Sequence, residues 1–145
     1  MNSQHISVDD TDRRGLLLTA SATTGWLDWI HGELWLLPTG LLRIPLNLGK
    51  TILHGVGPTV DPYQPRWRSF DEKTIETLLG LRGTRWVPHT QLRKAYLHQG
   101  VSTDRLLLQL QDQRTVKLLW LPVDGAFEPL QKVLTDWLGN ELVID

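Results

Sequence analysis

Alternating apolar and polar residues predict a β-hairpin between Asp104 and Leu121. Successive side chains of a strand point to opposite faces, so alternate residues share a face. Two apolar sets follow this alternation, one in each half of the stretch: Leu106, Leu108 and Leu110, then Val116, Leu118 and Trp120. The two sets share a face only if the numbers of paired residues sum to an even value, because a one-residue slip moves a whole set across the sheet. We therefore expect all six residues to be buried together.

The length of the hairpin loop decides the register. A two-residue turn at Asp112-Gln113 gives an odd sum and places Leu108 opposite Lys117. A three-residue loop, Asp112-Gln113-Arg114, gives an even sum. It predicts three pairs: Leu110 with Val116, Leu108 with Leu118, and Leu106 with Trp120. The loop contains no glycine, so Arg114 is the residue that we expect to be under backbone strain.

A second hairpin is predicted around the turn signal Pro38-Thr39-Gly40. Proline suits the second position of a turn, and glycine adopts positive φ readily. We expect the flanking segments Glu33–Leu37 and Leu41–Ile44 to pair. Gln91–Gln99 also alternates and is predicted to be a strand beside the Asp104–Leu121 hairpin. Other predicted segments are a strand or helical turn at Leu16–Thr19, strands at Trp26–His31 and Thr51–His54, an extended segment at Arg85–Val87, and a loop at Gly55–Pro65.

Two helices are predicted. Ser69 and Glu72 have the spacing of a capping box, and apolar residues at helical spacing follow, which predicts a short helix from Phe70 to Leu79. The second helix, Ala126–Leu138, has Asp124 as candidate N-cap and Gly139 as its stop. Its apolar stripe predicts docking on a sheet and consists of Phe127, Leu130, Leu134, Trp137 and Leu138.

Composition limits the class of protein. A chain of 145 residues fits one domain, which we place at residues 15–145 after a polar, loosely ordered arm at residues 1–14. The absence of cysteine excludes disulfides and thiolate chemistry. The N-terminus lacks the pattern of a signal peptide and no apolar run is long enough to cross a membrane, so we expect a cytoplasmic protein that is not transmembrane.

The order of the elements resembles that of bacterial pleckstrin-homology-like (PH-like) domains. Gly32–Arg43 is similar to their first hairpin, Val87–Leu97 and the Asp104–Leu121 hairpin to their second sheet, and Asp124–Gly139 to their closing helix. The resemblance implies a mainly β fold, a barrel of two packed antiparallel sheets capped by a C-terminal helix. It also implies a non-enzymatic binding or scaffolding module, with homo-oligomers among bacterial relatives. The short helix between the sheets departs from the common plan, as does the Asp112-Gln113-Arg114 loop where such domains often carry Asp-Gly.

A search for reactive groups predicts no catalytic, cofactor or metal site. Gly49-Lys50-Thr51 ends like a phosphate-binding P-loop, but Ile44 stands where that motif needs its first glycine. The five histidines lack the spacing of metal-binding motifs, and no serine lies in a G-x-S-x-G motif. We therefore expect a protein that is not an enzyme and that holds no cofactor or metal.

Arg66-Trp67-Arg68 is the most suggestive short cluster. Trp67 either stacks against a partner or anchors its loop in the core while the two arginines are solvated. The stretch from Arg66 to Lys94 holds seven basic residues against three acidic ones. Candidate contacts with a ligand or partner are Arg66, Trp67, Arg68, Arg82 and Arg85.

These features predict a binding or assembly module that acts on a protein partner or on a second copy of itself. The alternative is a binder of lipid headgroups or other small anions through a basic patch around Arg66 and Arg68. Convergence of these two residues with Arg82 and Arg85 on a concave surface near a sheet opening would favour the alternative. The net charge of −1 gives no reason to expect a nucleic-acid partner.

Overall fold

The computed structural model describes residues 14–24, 31–46, 59–61 and 66–145. This part of the chain is mainly β, with two sheets and a C-terminal helix, which confirms the predicted fold class. Residues 1–13 of the predicted arm lie outside the described residues, whereas Arg14 begins the first strand. Three further predicted segments lie wholly or largely outside them: Trp26–His31, Thr51–His54 and Gly55–Pro65.

The larger sheet has five antiparallel strands in the order β4-β1-β2-β3-β5. They are β1 (Arg14–Ala22), β2 (Gly32–Leu37), β3 (Gly40–Pro45), β4 (Trp67–Ser69) and β5 (Arg85–Pro88). The strand alternative for Leu16–Thr19 is therefore confirmed. The predicted second hairpin is also present, and Leu37 pairs with Gly40 across a two-residue turn at Pro38-Thr39.

The smaller sheet has four strands in the order β8-β7-β6-β9. They are β6 (Leu92–His98), β7 (Asp104–Leu110), β8 (Thr115–Trp120) and β9 (Leu142–Ile144). The antiparallel β6–β7–β8 part agrees with the predicted second sheet. The edge strand β9 pairs parallel to β6, so this sheet is mixed rather than purely antiparallel. Beside these two strands, Nδ1 of His98 and Oδ1 of Asp145 form a hydrogen bond of 2.9 Å.

The main core lies between the two sheets and under the C-terminal helix α2 (Phe127–Leu138), which contacts β6. The helix buries Leu130 and Leu134, as its apolar stripe predicts. Trp137 stacks on His89, with ring centroids 5.3 Å apart. The sheets are joined where Thr23 and Leu119 exchange two backbone hydrogen bonds of 2.9 Å. The core contacts and the Trp137–His89 stacking position α2, and the Thr23–Leu119 bridge links the two sheets.

The outer face of the five-stranded sheet carries a second apolar cluster. Pairing places Leu17, Trp35, Leu42 and Trp86 in one row across the sheet. The predicted short helix is present as α1 (Glu72–Leu79), and its Ile75 and Leu78 pack on this cluster, as does the buried Phe70. This sheet is therefore apolar on both faces, which explains the leucine-rich sequences of β2 and β3.

The β7–β8 hairpin shares a face as predicted but has a different register. Leu106 pairs with Leu118, and Leu108 pairs with Val116, so the paired numbers sum to an even value. Five of the six predicted residues are buried, and Val116 is partly buried against the main core. The predicted pairs are wrong, because each predicted partner lies two positions too late in the chain: Leu108 pairs with Val116 and not with Leu118. The three-residue loop is Gln111-Asp112-Gln113, closed by a hydrogen bond from Leu110 N–H to the Arg114 carbonyl.

This loop places its backbone strain on Gln113, not on Arg114. Gln113 has φ of 70°, and it is the only described residue other than glycine with positive φ. Loops of this length often end with a residue in the left-handed region, where glycine is favoured. Asp112 helps to hold the turn because its carboxylate accepts a hydrogen bond from Arg114 N–H.

Replacing Gln113 by glycine is expected to raise the free energy of unfolding by about 0.5–1 kcal/mol. Removing a side chain from a left-handed position stabilises the folded state, and this gain exceeds the loss that comes from the greater conformational entropy of glycine in the unfolded chain. Chemical denaturation of both proteins measures the difference. Gln111→Gly is the control: Gln111 does not have positive φ and its side-chain amide donates to the Leu92 carbonyl, so this variant should lose stability. A stabilisation of both variants, or of neither, would contradict this assignment of strain.

The N-caps of both helices differ from the predicted ones. At α1 the N-cap is Asp71, whose carboxylate accepts a hydrogen bond of 2.7 Å from Thr74 N–H, so the predicted Ser69–Glu72 capping box is wrong. At α2 the N-cap is Ala126, and Asp124 lies instead at the end of the short 3-10 helix Pro122–Asp124. Gly139 ends α2 with φ of 55°, as predicted.

Candidate functional site

The predicted Arg66-Trp67-Arg68 cluster lies at one edge of the five-stranded sheet. Strand β4 is the outermost strand there and pairs only with β1 among the described residues. Together with Arg14 of β1, these residues form a surface that we call the β4 edge (Arg14, Arg66, Trp67 and Arg68). All three residues of β4 are exposed.

Trp67 does not anchor its loop in the core. Its side chain is 53% exposed, although its pairing with Leu16 turns it towards the rim of the main core. The guanidinium of Arg14 lies 5.2 Å from the centroid of the indole ring. Such a cation–π contact at an exposed site contributes about 0.5–1 kcal/mol and holds the ring in place. The β4 edge therefore presents an ordered, largely exposed tryptophan.

The arginines on either side of Trp67 are held by different contacts. The guanidinium of Arg68 lies 5.3 Å from the centroid of the fully buried Phe70. Phe70 is fixed in turn by an edge-on contact with Trp35, with ring centroids 5.0 Å apart. The carbonyl of Arg66 accepts a hydrogen bond of 2.8 Å from Leu17 N–H. The two arginines thus flank Trp67 on a strand that is fixed to the sheet.

The backbone of Trp67 faces away from the sheet. In an antiparallel pair, hydrogen-bonded residues alternate with residues whose backbone groups point outward. Arg66 bonds to Leu17, so the next residue, Trp67, directs its N–H and C=O to the open side of β4. None of the described residues forms a hydrogen bond with these outward groups. Outward backbone groups of an edge strand are the groups to which an added strand binds.

Arg82 and Arg85 lie elsewhere. Arg85 is on β5, the opposite edge strand of the same sheet, and the exposed Arg82 lies in the turn that leads to it. Four strand spacings separate β4 from β5, or about 19 Å measured along the sheet. The structure therefore does not unite the five predicted residues in one patch. It divides them between two regions, because α1 carries the chain from one edge of the sheet to the other.

Arg85 lines a cleft of about 800 Å³ between β5 and the end of the β7–β8 hairpin. Arg114 and Lys117 also line it, and no acidic residue is among its described lining residues. Sequence reasoning missed both as site residues, because nothing in the local pattern shows that the hairpin meets β5. One contact reveals this proximity: the backbone N–H of Gln111 donates to the carbonyl of Gln91, which also lines the cleft.

Arg114 has an acidic neighbour next to the cleft. Its Nε donates to Asp112 Oδ2 at 2.6 Å. Hydrogen bonds from the Arg114 backbone N–H and from its guanidinium lower the pKa of Asp112 from its ordinary value of 3.8. A lowered pKa means that the carboxylate stays charged to lower pH than usual, and the interaction is lost only as pH falls through that lowered value. Any anion that binds Arg114 must compete with this carboxylate.

A buried polar network connects β1 to the segment before α2. Asp124 is 4% exposed and accepts hydrogen bonds from the hydroxyls of Thr19, Ser21 and Thr59 at 2.5, 3.2 and 2.6 Å. It also accepts one from Thr59 N–H at 2.7 Å. The hydroxyl of Ser21 accepts a further bond from Leu121 N–H. Four hydrogen bonds thus converge on one buried carboxylate and tie β1 to the segment before α2.

The described residues contain no group of three His, Asp or Glu side chains placed to hold a metal ion. Within the same ranges, no helix has the length and apolar character needed to cross a membrane.

The described part of the chain is a mainly β domain with two sheets and a C-terminal helix. Its surface carries an exposed edge strand with aromatic and basic residues, and a basic cleft. No protein-family model matches the chain, and no curated protein matches it.

Proposed function

We propose that the protein is a non-catalytic binding module that recognises an extended, acidic segment of a partner protein at the β4 edge. The observation that carries this proposal is Trp67, an exposed tryptophan between two arginines on an edge strand. Aromatic residues and arginine are enriched among the residues that dominate binding energy at protein interfaces. The outward N–H and C=O of Trp67 offer the backbone contacts by which an added strand binds.

Kinship with bacterial PH-like domains is part of the same proposal. Strands β1, β2, β3 and β5 follow one another across the larger sheet, and β6, β7 and β8 do so across the smaller one. The amphipathic helix α2 packs on β6. This order supports the resemblance, which implies a binding or scaffolding role.

Charge selects the partner. If two copies paired edge to edge about Trp67, Arg66 of each copy would lie opposite Arg68 of the other, and like charges in contact destabilise such pairing. The same arginines attract glutamate or aspartate side chains of an added strand. The β4 edge therefore favours an acidic partner over a second copy, and light scattering is expected to show a 16.6 kDa monomer.

The test uses a labelled peptide in which glutamates alternate with β-branched residues, a composition that suits a strand. Fluorescence anisotropy measures its affinity for the full chain. Trp67→Ala and Arg66→Glu/Arg68→Glu are each expected to weaken binding by about tenfold or more. Arg93→Glu/Arg105→Glu is the matched control, because it makes the same charge change at exposed positions of the other sheet.

Two peptide controls separate strand addition from simple charge attraction. Proline at alternate positions of the peptide removes backbone donors and should abolish binding. A peptide with lysine in place of glutamate should bind Arg66→Glu/Arg68→Glu more tightly than the native protein. Equal affinities of the two charge-reversed variants, or absence of binding by the glutamate peptide, would contradict the proposal. A dimer that Arg66→Glu/Arg68→Glu disrupts would assign the β4 edge to a second copy instead.

A further inference from the structure

We infer that the cleft between β5 and the β7–β8 hairpin binds a small organic anion, such as a phosphate ester with an apolar body. This inference is independent of the β4 edge, which lies on the opposite edge strand. The cleft volume of about 800 Å³ falls within the range typical of sites for small ligands. The ligand is therefore expected to be a small molecule or the headgroup of a lipid rather than a folded protein surface.

Three cationic residues from three parts of the fold line this cleft: Arg85 on β5, Arg114 after the hairpin loop and Lys117 on β8. Among the described residues, neither Arg85 nor Lys117 forms an ion pair. Positive charges that gather with no acidic group among the described lining residues focus a positive potential in the cleft and raise the local concentration of anions. Arginine in particular offers parallel N–H donors to phosphate or carboxylate oxygens.

The rest of the lining suits the other parts of such a ligand. Thr84 lines the cleft but is 8% exposed and its hydroxyl oxygen is buried, so the polar contacts of the ligand fall to the cationic residues. Apolar lining is supplied by Leu79, Trp86, Val87, Leu110 and Val116. The cleft thus combines cationic groups with an apolar wall that includes an indole ring.

Asp112 acts as an internal competitor for the ligand. Its carboxylate holds the guanidinium of Arg114 at 2.6 Å, so an incoming anion must displace it. Asp112→Asn removes the competing charge but keeps an oxygen that can accept the hydrogen bond from Arg114 N–H. We therefore expect this variant to bind the anion more tightly than the native protein. A gain of affinity is hard to produce by damage to the fold.

The probe is 1-naphthyl phosphate, which joins a dianion to an aromatic body, and calorimetry measures its binding to the full chain. Arg85→Ala, Arg114→Ala and Lys117→Ala are each expected to weaken binding by about tenfold. Arg105→Ala is the matched control, because Arg105 is an exposed arginine that does not line the cleft. The uncharged 1-naphthol is expected to bind far more weakly than the phosphate.

A second arm identifies the source of the anion. Vesicles that contain phosphatidylserine are compared with soluble 1-naphthyl phosphate. Binding of the soluble probe alone indicates a free metabolite, whereas binding of vesicles that is lost in Arg85→Ala indicates a lipid headgroup. Failure of both to bind, or equal binding by the cleft variants and Arg105→Ala, would overturn the inference. These outcomes do not depend on Trp67, so they are separate from the test of the β4 edge.

Discussion

Asp124→Ala is expected to lower the free energy of unfolding by about 3–4 kcal/mol, because the substitution leaves several buried donors without an acceptor. Asp124 accepts hydrogen bonds from Thr19, Ser21 and Thr59. Thr19 is fully buried and Ser21 is 4% exposed, so water cannot readily replace the carboxylate. Domains of this size are stable by about 5–15 kcal/mol, so the expected loss is a large share of the total.

Chemical denaturation measures this loss against Asp136→Ala, which removes an exposed aspartate from α2 and should change stability by less than about 0.5 kcal/mol. A double-mutant cycle with Thr19→Val isolates the Thr19–Asp124 contact and is expected to show a coupling of about 1 kcal/mol or more. A loss below about 1 kcal/mol for Asp124→Ala would show that the network does not hold β1 to the segment before α2.

Gly40→Ala is expected to destabilise the protein by about 2–3 kcal/mol, because the added methyl group has no room. A Cβ atom at Gly40 would lie 2.3 Å from the Val87 carbonyl oxygen and 2.8 Å from the Trp86 ring. The first contact is with backbone, so no side-chain rotation relieves it. Strand β5, which pairs with β3 at this point, must move away.

Gly80→Ala is the control for this substitution. Gly80 has a right-handed conformation with φ of −72°, and the nearest atom to an added Cβ is 3.3 Å away. Its stability should change by less than about 0.5 kcal/mol. Thermal and chemical denaturation of both variants measure the difference. Equal effects at Gly40 and Gly80 would mean that β5 does not press against the turn.

Gly40 also shows why a correct sequence pattern can have a different physical cause. Its place after Pro38-Thr39 predicted a turn, and glycine's ability to adopt positive φ was the expected reason. The turn is present, but Gly40 does not have positive φ. Glycine is required there because β5, about forty-five positions later in the chain, crosses close to its backbone.

The β7–β8 hairpin shows what the alternation of apolar and polar residues predicts and what it leaves open. Parity alone correctly placed Leu106, Leu108, Leu118 and Trp120 on the buried face. Parity cannot distinguish registers that differ by two residues, since both keep the same face buried. The loop decided between them: Gln113 adopts the left-handed conformation and Asp112 holds Arg114, which centres the turn one position earlier than expected.

Periodicity and turn residues act over short distances, so they were sufficient to predict the mainly β class, most of the strands, both helices and the buried face of the hairpin. The packing of distant segments separates Arg66 and Arg68 from Arg85, leaves Trp67 exposed, and places Arg85 in the same cleft as Arg114 and Lys117. It also converted Asp124 from an expected helix cap into the centre of a buried network. These features depend on contacts between segments that are far apart in the chain, and local sequence patterns do not predict such contacts.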